Sequence, residues 1–356
     1  MTSGNNGKYD FRKIVGYIFT VFITFIFLFL AFHNVDFADL VKKLSSASIK
    51  WMLVFIVFFI LSHIARAIRW KYIINSVKPN VSLLNAFAAV MVGYGINCAV
   101  PRLGEVYRSL FLGKWESISR SSLLGTVIVE RVIDILALAF SVIISVLIFP
   151  GDLYSKIEWL RPTVYTIFVL MSIAIIVLFL TVKFKEKFYN LIVKIVGKAS
   201  PKIAKKMASI FNTFAVGFAS LKGTKNILMT IFYSAVIMFI YGYNAYIGFY
   251  MLGMEKIMPV SISMGWVLMT ISAFGIVIPT PGGTGTYHLI TIMVLMSLFG
   301  FGQDISAAYA FLTHIISYIL FIVIMFISFY AVNLNRSKTG LPKETFLSVF
   351  KDKTIG

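Results

Sequence analysis

The chain has 356 residues, of which 59% are hydrophobic and 13% are charged, and its formal net charge is +19. Soluble domains carry about 25% charged residues, so the composition excludes a soluble enzyme and a soluble nucleic-acid-binding domain. Apolar stretches of roughly 20 residues recur along the whole length, which predicts an all-α polytopic membrane protein. A single cysteine, Cys98, excludes an intramolecular disulfide.

Six apolar segments predict full membrane spans, with boundary errors of about 2–4 residues. The spans are 14–32, 51–73, 121–149, 163–182, 226–252 and 305–333. The first follows Lys8, Arg12 and Lys13 and is too long for a signal peptide, so we interpret it as a retained helix. Two further stretches, 83–118 and 262–300, each hold two apolar half-helices around a proline- and glycine-containing break.

Lysine and arginine concentrate in cytoplasmic loops, and this rule sets the orientation. The basic segments predicted to be cytoplasmic are the N-terminus, 74–82, 102–120, 183–225 and the C-terminal tail, whereas 33–50, 150–162 and 253–261 are predicted to be external loops. Segment 183–225, with ten lysines and one acid, is typical of an amphipathic helix on the anionic membrane surface. A loop that only fixes the topology would explain the same lysines. We therefore expect the cytoplasmic (inner) membrane, with both termini in the cytoplasm.

This orientation makes each broken stretch a re-entrant helical hairpin, and the two hairpins enter from opposite sides. The breaks also align at an offset of 180 residues, where Gly95, Ile96, Pro101 and Tyr107 match Gly275, Ile276, Pro281 and Tyr287. We predict one transmembrane domain, 1–356, built as an inverted repeat of about 51–149 and about 231–333, as in secondary transporters. The alternative is that similar apolar segments align by coincidence.

Charged residues at membrane depth are costly, so they normally face an interior cavity and pair. The candidate residues for binding a lipid headgroup are Arg66, Arg69, Arg102, Arg108 and Arg131, and the candidates for orienting or coupling are Glu105, Glu130, Asp134 and His288. Five arginines against three carboxylates leave two positive charges, which suits a phosphate, and the guanidinium group binds phosphate bidentately. No catalytic residue, metal site or cofactor is predicted.

Each charged group also has a structural alternative. Glu130, Arg131 and Asp134 could form an ion-pair network that locks the fold, and Arg66 and Arg69 could extend to the cytoplasmic interface. The second repeat lacks these charges, and His288 stands where the first repeat has Arg108. The candidate hinge residues of the two hairpins are Gly95, Pro101, Gly104, Pro279, Pro281, Gly282, Gly283 and Gly285.

Three motifs in order carry a family resemblance. They are Pro101-Arg102-x-Gly104-Glu105-x-x-Arg108, Glu130-Arg131-x-x-Asp134 and Pro279-x-Pro281-Gly282-Gly283-x-Gly285. The chain resembles the lysylphosphatidylglycerol synthase/flippase transmembrane family over about residues 10–335. The resemblance implies an eight-segment domain that moves a phospholipid between leaflets. Only about twenty residues follow the last span, so the synthase domain is expected to be absent, and His288 replaces a glutamate common in the family.

We therefore predict a flippase for an anionic or aminoacylated phospholipid of the phosphatidylglycerol type. One alternative is a membrane-embedded lipid or polyprenyl-phosphate transferase, although no metal-binding or P-loop pattern is present. Another is a non-transporting partner of a separate lipid synthase. The predicted partners are a phospholipid and the anionic membrane surface, without nucleic acid; a homo-oligomer and a separate synthase partner are left open.

Overall fold

The computed structural model describes residues 6–151, 153–156, 158–166, 168–169, 172–173, 176, 200, 223–346 and 348. Within these ranges the chain is helical and has no strand. The bounded helices are α1 (Asn6–Phe32), α2 (Phe37–Ser45), α3 (Ile49–Ile74), α4 (Leu83–Ala99), α5 (Gly104–Glu116), α6 (Arg120–Ile148), α7 (Leu153–Lys156), α8 (Thr224–Met251), α9 (Ile262–Val277), α10 (Thr286–Ser297) and α11 (Gln303–Lys338). Short 3₁₀ turns lie at Met254–Lys256 and Pro281–Gly283.

Four of these helices, α3, α6, α8 and α11, are long and apolar enough to cross a membrane. Ile18–Phe32 and Phe37–Ser45 form a fifth candidate span that is bent by 86°. The described residues therefore give four or five spans, against six predicted. Most of the predicted span 163–182, and nearly all of the predicted amphipathic segment 183–225, lie outside the described residues.

The predicted external loop 33–50 contains a short helix, α2, that the sequence analysis did not predict. The Asp36 carboxylate accepts hydrogen bonds from the backbone N–H groups of Ala38 at 2.9 Å and Asp39 at 3.3 Å, which caps the helix. Leu40 is buried in a cluster shared with residues of α1 and α11. A nine-residue amphipathic helix is too short to stand out between two apolar spans. The capping residue Asp36 is the clearest sequence signal for it.

Helices α4 and α5 form the first hairpin, with the break 100–103 between them. At its open end, Asn85 Nδ2 donates to Glu116 Oε1 at 2.7 Å, which joins the start of α4 to the end of α5. Near the break the two backbones touch, since a Cβ on Gly104 would lie 1.9 Å from the Gly93 carbonyl oxygen. The two helices therefore run antiparallel, and glycine is required at their closest approach.

Helices α9 and α10 form the second hairpin, with the turn Pro281–Gly283 at its tip. Thr291 Oγ1 donates to Ser272 Oγ at 2.9 Å between the two helices. Near the tip, a Cβ on Gly275 would lie 2.8 Å from the Thr286 carbonyl oxygen. The second hairpin thus repeats the antiparallel packing of the first.

The tips of the two hairpins meet inside the protein. Tyr318 of α11 donates its hydroxyl hydrogen to the Cys98 carbonyl oxygen at the end of α4. On the other side, a Cβ on Gly282 would lie 2.7 Å from the Tyr318 ring and 3.7 Å from Cys98 Cα. Gly282 has φ +58°, so an L side chain there would be strained as well as crowded.

The open ends of the hairpins lie at opposite ends of an antiparallel helix pair, α3 and α8. Ser48 N–H donates to the Met251 carbonyl at 2.8 Å at one end of this pair, and Asn75 Nδ2 donates to Asn226 Oδ1 at 3.3 Å at the other. The first hairpin opens beside the end of α3, where Lys78 donates to the Glu116 carbonyl. The second opens at the opposite end, following the end of α8.

The C-terminal residues fold back onto the first hairpin. Glu344 forms ion pairs with Lys114 of α5 at 2.7 Å and Arg336 of α11 at 3.1 Å. The Phe346 ring stacks on Phe329 of α11, with centroids 4.4 Å apart, and also contacts Phe111 of α5. We call residues 341–346 the C-terminal strap, since they tie α5 to α11.

Candidate functional site

Six charged side chains meet where α3, α5 and α6 pack together. This arginine cluster consists of Arg66, Arg69, Arg108, Glu130, Arg131 and Asp134. Helix α3 brings Arg66 and Arg69 together because residues three apart share a face. Helix α6 brings Glu130 and Asp134 together by the four-residue spacing, and the first hairpin supplies Arg108.

Glu130 is the centre of the cluster and is completely buried. Its Oε1 accepts from Arg66 at 2.8 Å, from Arg131 at 3.1 Å and from Arg69 at 3.2 Å. Its Oε2 accepts from Arg108 at 2.6 Å. One carboxylate therefore binds four guanidinium groups, from three separate helices.

Asp134 completes the pairing one helical turn further along α6. Its Oδ1 accepts from Arg69 at 2.5 Å, and its Oδ2 lies 2.8 Å from Arg66 and 3.1 Å from Arg131. All four carboxylate oxygens of the cluster are thus engaged by arginine. The pairs also hold Arg66 and Arg69 inside the bundle, so these residues do not extend to an interface.

The cluster carries more positive than negative charge. Four guanidinium groups face two carboxylates, which leaves two positive charges among these side chains. Within the described part of the chain, the buried Nε atom of each of the four arginines has no hydrogen-bond partner. Buried charges are normally paired and buried donors hydrogen-bonded, so the surplus charge and the four unpartnered Nε–H groups set this cluster apart from a fully satisfied ion-pair network.

Neighbouring groups hold the arginines in place. Arg108 lies over the Trp70 ring at 3.9 Å, and the Trp70 indole N–H donates to Thr126 Oγ1 at 3.0 Å. From α8, Ser234 accepts from Arg69 at 3.0 Å and Tyr241 accepts from Arg66 at 3.2 Å. Sequence reasoning missed Ser234 and Tyr241, because single polar residues in an apolar helix do not reveal which distant helix they face.

One edge of the cluster is open. The side chains of Arg66, Arg69 and Arg108 are at most 5% exposed, whereas Asp134 is 17% and Arg131 is 37% exposed. Both accessible side chains lie on α6. Arg131 and Asp134 therefore form the accessible edge of the cluster.

The structure separates two predicted residues from the cluster. Arg102 is exposed in the break of the first hairpin, where its φ is +62°. Glu105 is half-buried and accepts from Asn97 Nδ2 at 3.3 Å, at the tip of the same hairpin. Both lie on the chain leading to Arg108, whose carboxylate partner in the cluster is Glu130.

The predicted residue His288 belongs to a different group, in the second hairpin. The Gly285 N–H donates to His288 Nδ1 at 3.2 Å, so the imidazole caps helix α10. Its ring lies 4.6 Å from the ring of His314 and 5.4 Å from that of Phe32, measured between centroids. In the described ranges, no three His, Cys, Asp or Glu side chains are placed to hold a metal ion.

The predicted hinge residues lie at or near the two breaks. Those of the first hairpin are Gly95, Pro101 and Gly104, and those of the second are Pro279, Pro281, Gly282, Gly283 and Gly285. A Cβ on Gly95 would lie 2.5 Å from Met325 Sδ, so the absence of a side chain here lets α11 pack closely against α4. Gly283 and Gly285 have φ of +76° and +87°, a region that favours glycine.

Fold and site together define the class: a multi-pass helical membrane protein with a buried, net-positive arginine cluster. The family described as "Lysylphosphatidylglycerol synthase TM region" matches residues 16–324, so the chain belongs to this family. The resemblance found in the three motifs is thereby confirmed.

Several archaeal membrane proteins are similar to this chain. "UPF0104 membrane protein MJ1595" of Methanocaldococcus jannaschii is 26% identical over 323 residues, covering 86% of this chain and 92% of its own length. "UPF0104 membrane protein MJ1078" of the same organism is 31% identical over 255 residues, covering 68% and 96%. "UPF0104 membrane protein PH1989" of Pyrococcus horikoshii is 27% identical over 154 residues, covering 42% and 44%.

Proposed function

We propose that this protein is a lipid flippase, which moves a phosphate-bearing lipid between the leaflets of the cytoplasmic membrane. Phosphatidylglycerol is the type of lipid that the family implies. One observation carries the proposal: four arginines converge on two carboxylates and keep two uncompensated positive charges inside a helical membrane protein. Burying such a charge in a membrane is costly, so ionisable residues there mark a candidate functional site.

The architecture supports alternating access by the two hairpins. Their tips meet at Cys98 and Gly282, and their open ends lie at opposite ends of α3 and α8. We interpret them as re-entrant hairpins of an inverted repeat, with both termini in the cytoplasm. Withdrawal of one tip would open the arginine cluster to one leaflet, while the other hairpin keeps the opposite side closed.

The carboxylates argue against a transferase. A general base or nucleophile needs a carboxylate oxygen that is free to reach the substrate. Every oxygen of Glu130 and Asp134 accepts from arginine. Their arrangement suits the positioning of guanidinium groups, which is the task of a binding site.

A leaflet-resolved assay tests the proposal. The purified protein is reconstituted into liposomes with a fluorescent phosphatidylglycerol, and the outer leaflet is quenched chemically at successive times. We expect transport by the wild type and by Arg161→Gln, an exposed arginine outside the cluster. We expect its loss in Arg108→Ala and in Arg131→Gln, which both change the cluster. Unchanged transport in both cluster variants would overturn the site assignment, and no transport by the folded wild type would overturn the function.

A further inference from the structure

The charges of the arginine cluster restrict the lipid headgroup that the site can bind more narrowly than membership of the family does. We propose that the cluster selects a lipid headgroup that ends in a phosphate monoester, with two negative charges and no ammonium group. This inference rests on the proposed function, because it names the substrate class of the same site. It departs from an aminoacylated phospholipid, whose headgroup carries a free ammonium.

An ammonium group would have to share a carboxylate with arginine in this cluster. Both oxygens of Glu130 and both oxygens of Asp134 already accept from arginines. The remaining surplus is positive, so an ammonium would enter against like charge. If Glu130 or Asp134 turned to bind the ammonium group, buried ion pairs with arginine would break, and this costs free energy.

The two surplus positive charges of the cluster match the charge of a dianionic headgroup. A phosphodiester, as in phosphatidylglycerol, supplies one negative charge and two unesterified oxygens. A phosphate monoester supplies up to two negative charges, because its second pKa is about 6, and three acceptor oxygens. The four unpartnered Nε–H groups of the cluster can use the third oxygen.

The arginines lie close together, which favours a single phosphate over two separate ones. Arg66, Arg69 and Arg131 all donate to the same oxygen of Glu130, within 2.8–3.2 Å, so their guanidinium groups lie within the reach of one small anion. Arg131 is the most exposed of the three. A compact terminal phosphate fits such an arrangement better than the two separated phosphates of a doubly anionic diester lipid.

Lipid retention in nanodiscs tests this proposal. The full-length protein is placed in nanodiscs that contain phosphatidic acid, phosphatidylglycerol and lysyl-phosphatidylglycerol in equal amounts, and the bound lipid is quantified by native mass spectrometry. At pH 7.5 we expect phosphatidic acid to exceed phosphatidylglycerol by about tenfold, since one additional close charge is worth at least this factor. We expect lysyl-phosphatidylglycerol to bind least.

Two controls make the result specific. Lowering the pH to 5.5 protonates the monoester, so the preference over phosphatidylglycerol should shrink severalfold. Arg131→Gln should shrink it as well, whereas Arg161→Gln, outside the cluster, should leave it in place. A polyprenyl monophosphate and inorganic phosphate as competitors distinguish the source: displacement by the lipid alone identifies a lipid ligand, and displacement by both identifies recognition of the phosphate itself.

The outcomes separate this proposal from the flippase. Equal or tighter binding of lysyl-phosphatidylglycerol, or a monoester preference that Arg131→Gln leaves unchanged, would overturn the headgroup assignment, although lipid transport in liposomes could still stand. Selective retention of the monoester without transport of any lipid would support the headgroup assignment and overturn the flippase.

Discussion

Replacing Glu130 by glutamine should destabilise the protein more than any other single neutralisation of a carboxylate in the cluster. Glu130 is completely buried and binds four guanidinium groups. The neutral amide raises the surplus of the cluster from two positive charges to three, and its NH₂ group faces donors. Removing one partner of a buried ion pair costs about 3–5 kcal/mol.

The assay is equilibrium unfolding in detergent micelles, followed by tryptophan fluorescence. Trp70, one of the five tryptophans of the chain, packs against Arg108 and contributes a signal from the cluster. We expect the free energy of unfolding of Glu130→Gln to fall by about 3–5 kcal/mol. The matched control is Asp39→Asn, which removes a partly exposed ion pair to Lys43 and should cost less than about 1 kcal/mol.

A double-mutant cycle tests the cause. Arg108→Gln combined with Glu130→Gln restores the surplus of two charges, so the double variant should be more stable than the sum of the two losses predicts. The coupling energy should be about 0.5–3 kcal/mol. Strict additivity, or a loss below about 1 kcal/mol for Glu130→Gln alone, would refute the view that charge pairing holds these three helices together.

Three further predictions concern the hairpins and the strap. Gly104→Ala should lower the free energy of unfolding by at least about 1–3 kcal/mol, because the new Cβ would lie 1.9 Å from the Gly93 carbonyl oxygen; Gly302→Ala, which meets nothing within 4 Å, is the control, and equal losses would contradict the close packing. Gly282→Ala should reduce the transport rate while lipid retention in nanodiscs stays normal, since it strains the contact between the hairpin tips; an unchanged rate would show that this contact does not matter. Phe346→Ala should cost about 1–3 kcal/mol and increase protease cleavage after residue 340, because the strap loses its stacking on α11; unchanged cleavage would count against the strap.

Much of the candidate site could be predicted from sequence, because charge in an apolar chain stands out. The spacing of Arg66 with Arg69, and of Glu130 with Asp134, indicated shared helix faces, and the structure joins these two faces. The breaks near Pro101 and Pro281 likewise separated four short helices in the expected places. These are local patterns, so they could be read without knowledge of the packing.

Other features depend on long-range contacts that no local pattern encodes. Adjacency in the first motif placed Arg102 and Glu105 beside Arg108, but the helix that begins at Gly104 directs Arg108 inward, while Arg102 stays exposed in the break. Ser234 lies 165 residues from its partner Arg69, and the strap contacts Lys114 from the far end of the chain. Such pairs are fixed by the fold as a whole.

The same ion pairs impose an order on membrane insertion. Arg66 precedes Glu130 by 64 residues and Asp134 by 68 residues, so α3 leaves the ribosome with two unpaired arginines well before α6 follows. An isolated charge at a helix centre costs about 2.5–3.5 kcal/mol on insertion scales. Helix α3 therefore has to stay beside the insertion machinery, out of the lipid, until α6 supplies the carboxylates. The 64 residues between Arg66 and Glu130 set how long this stage lasts.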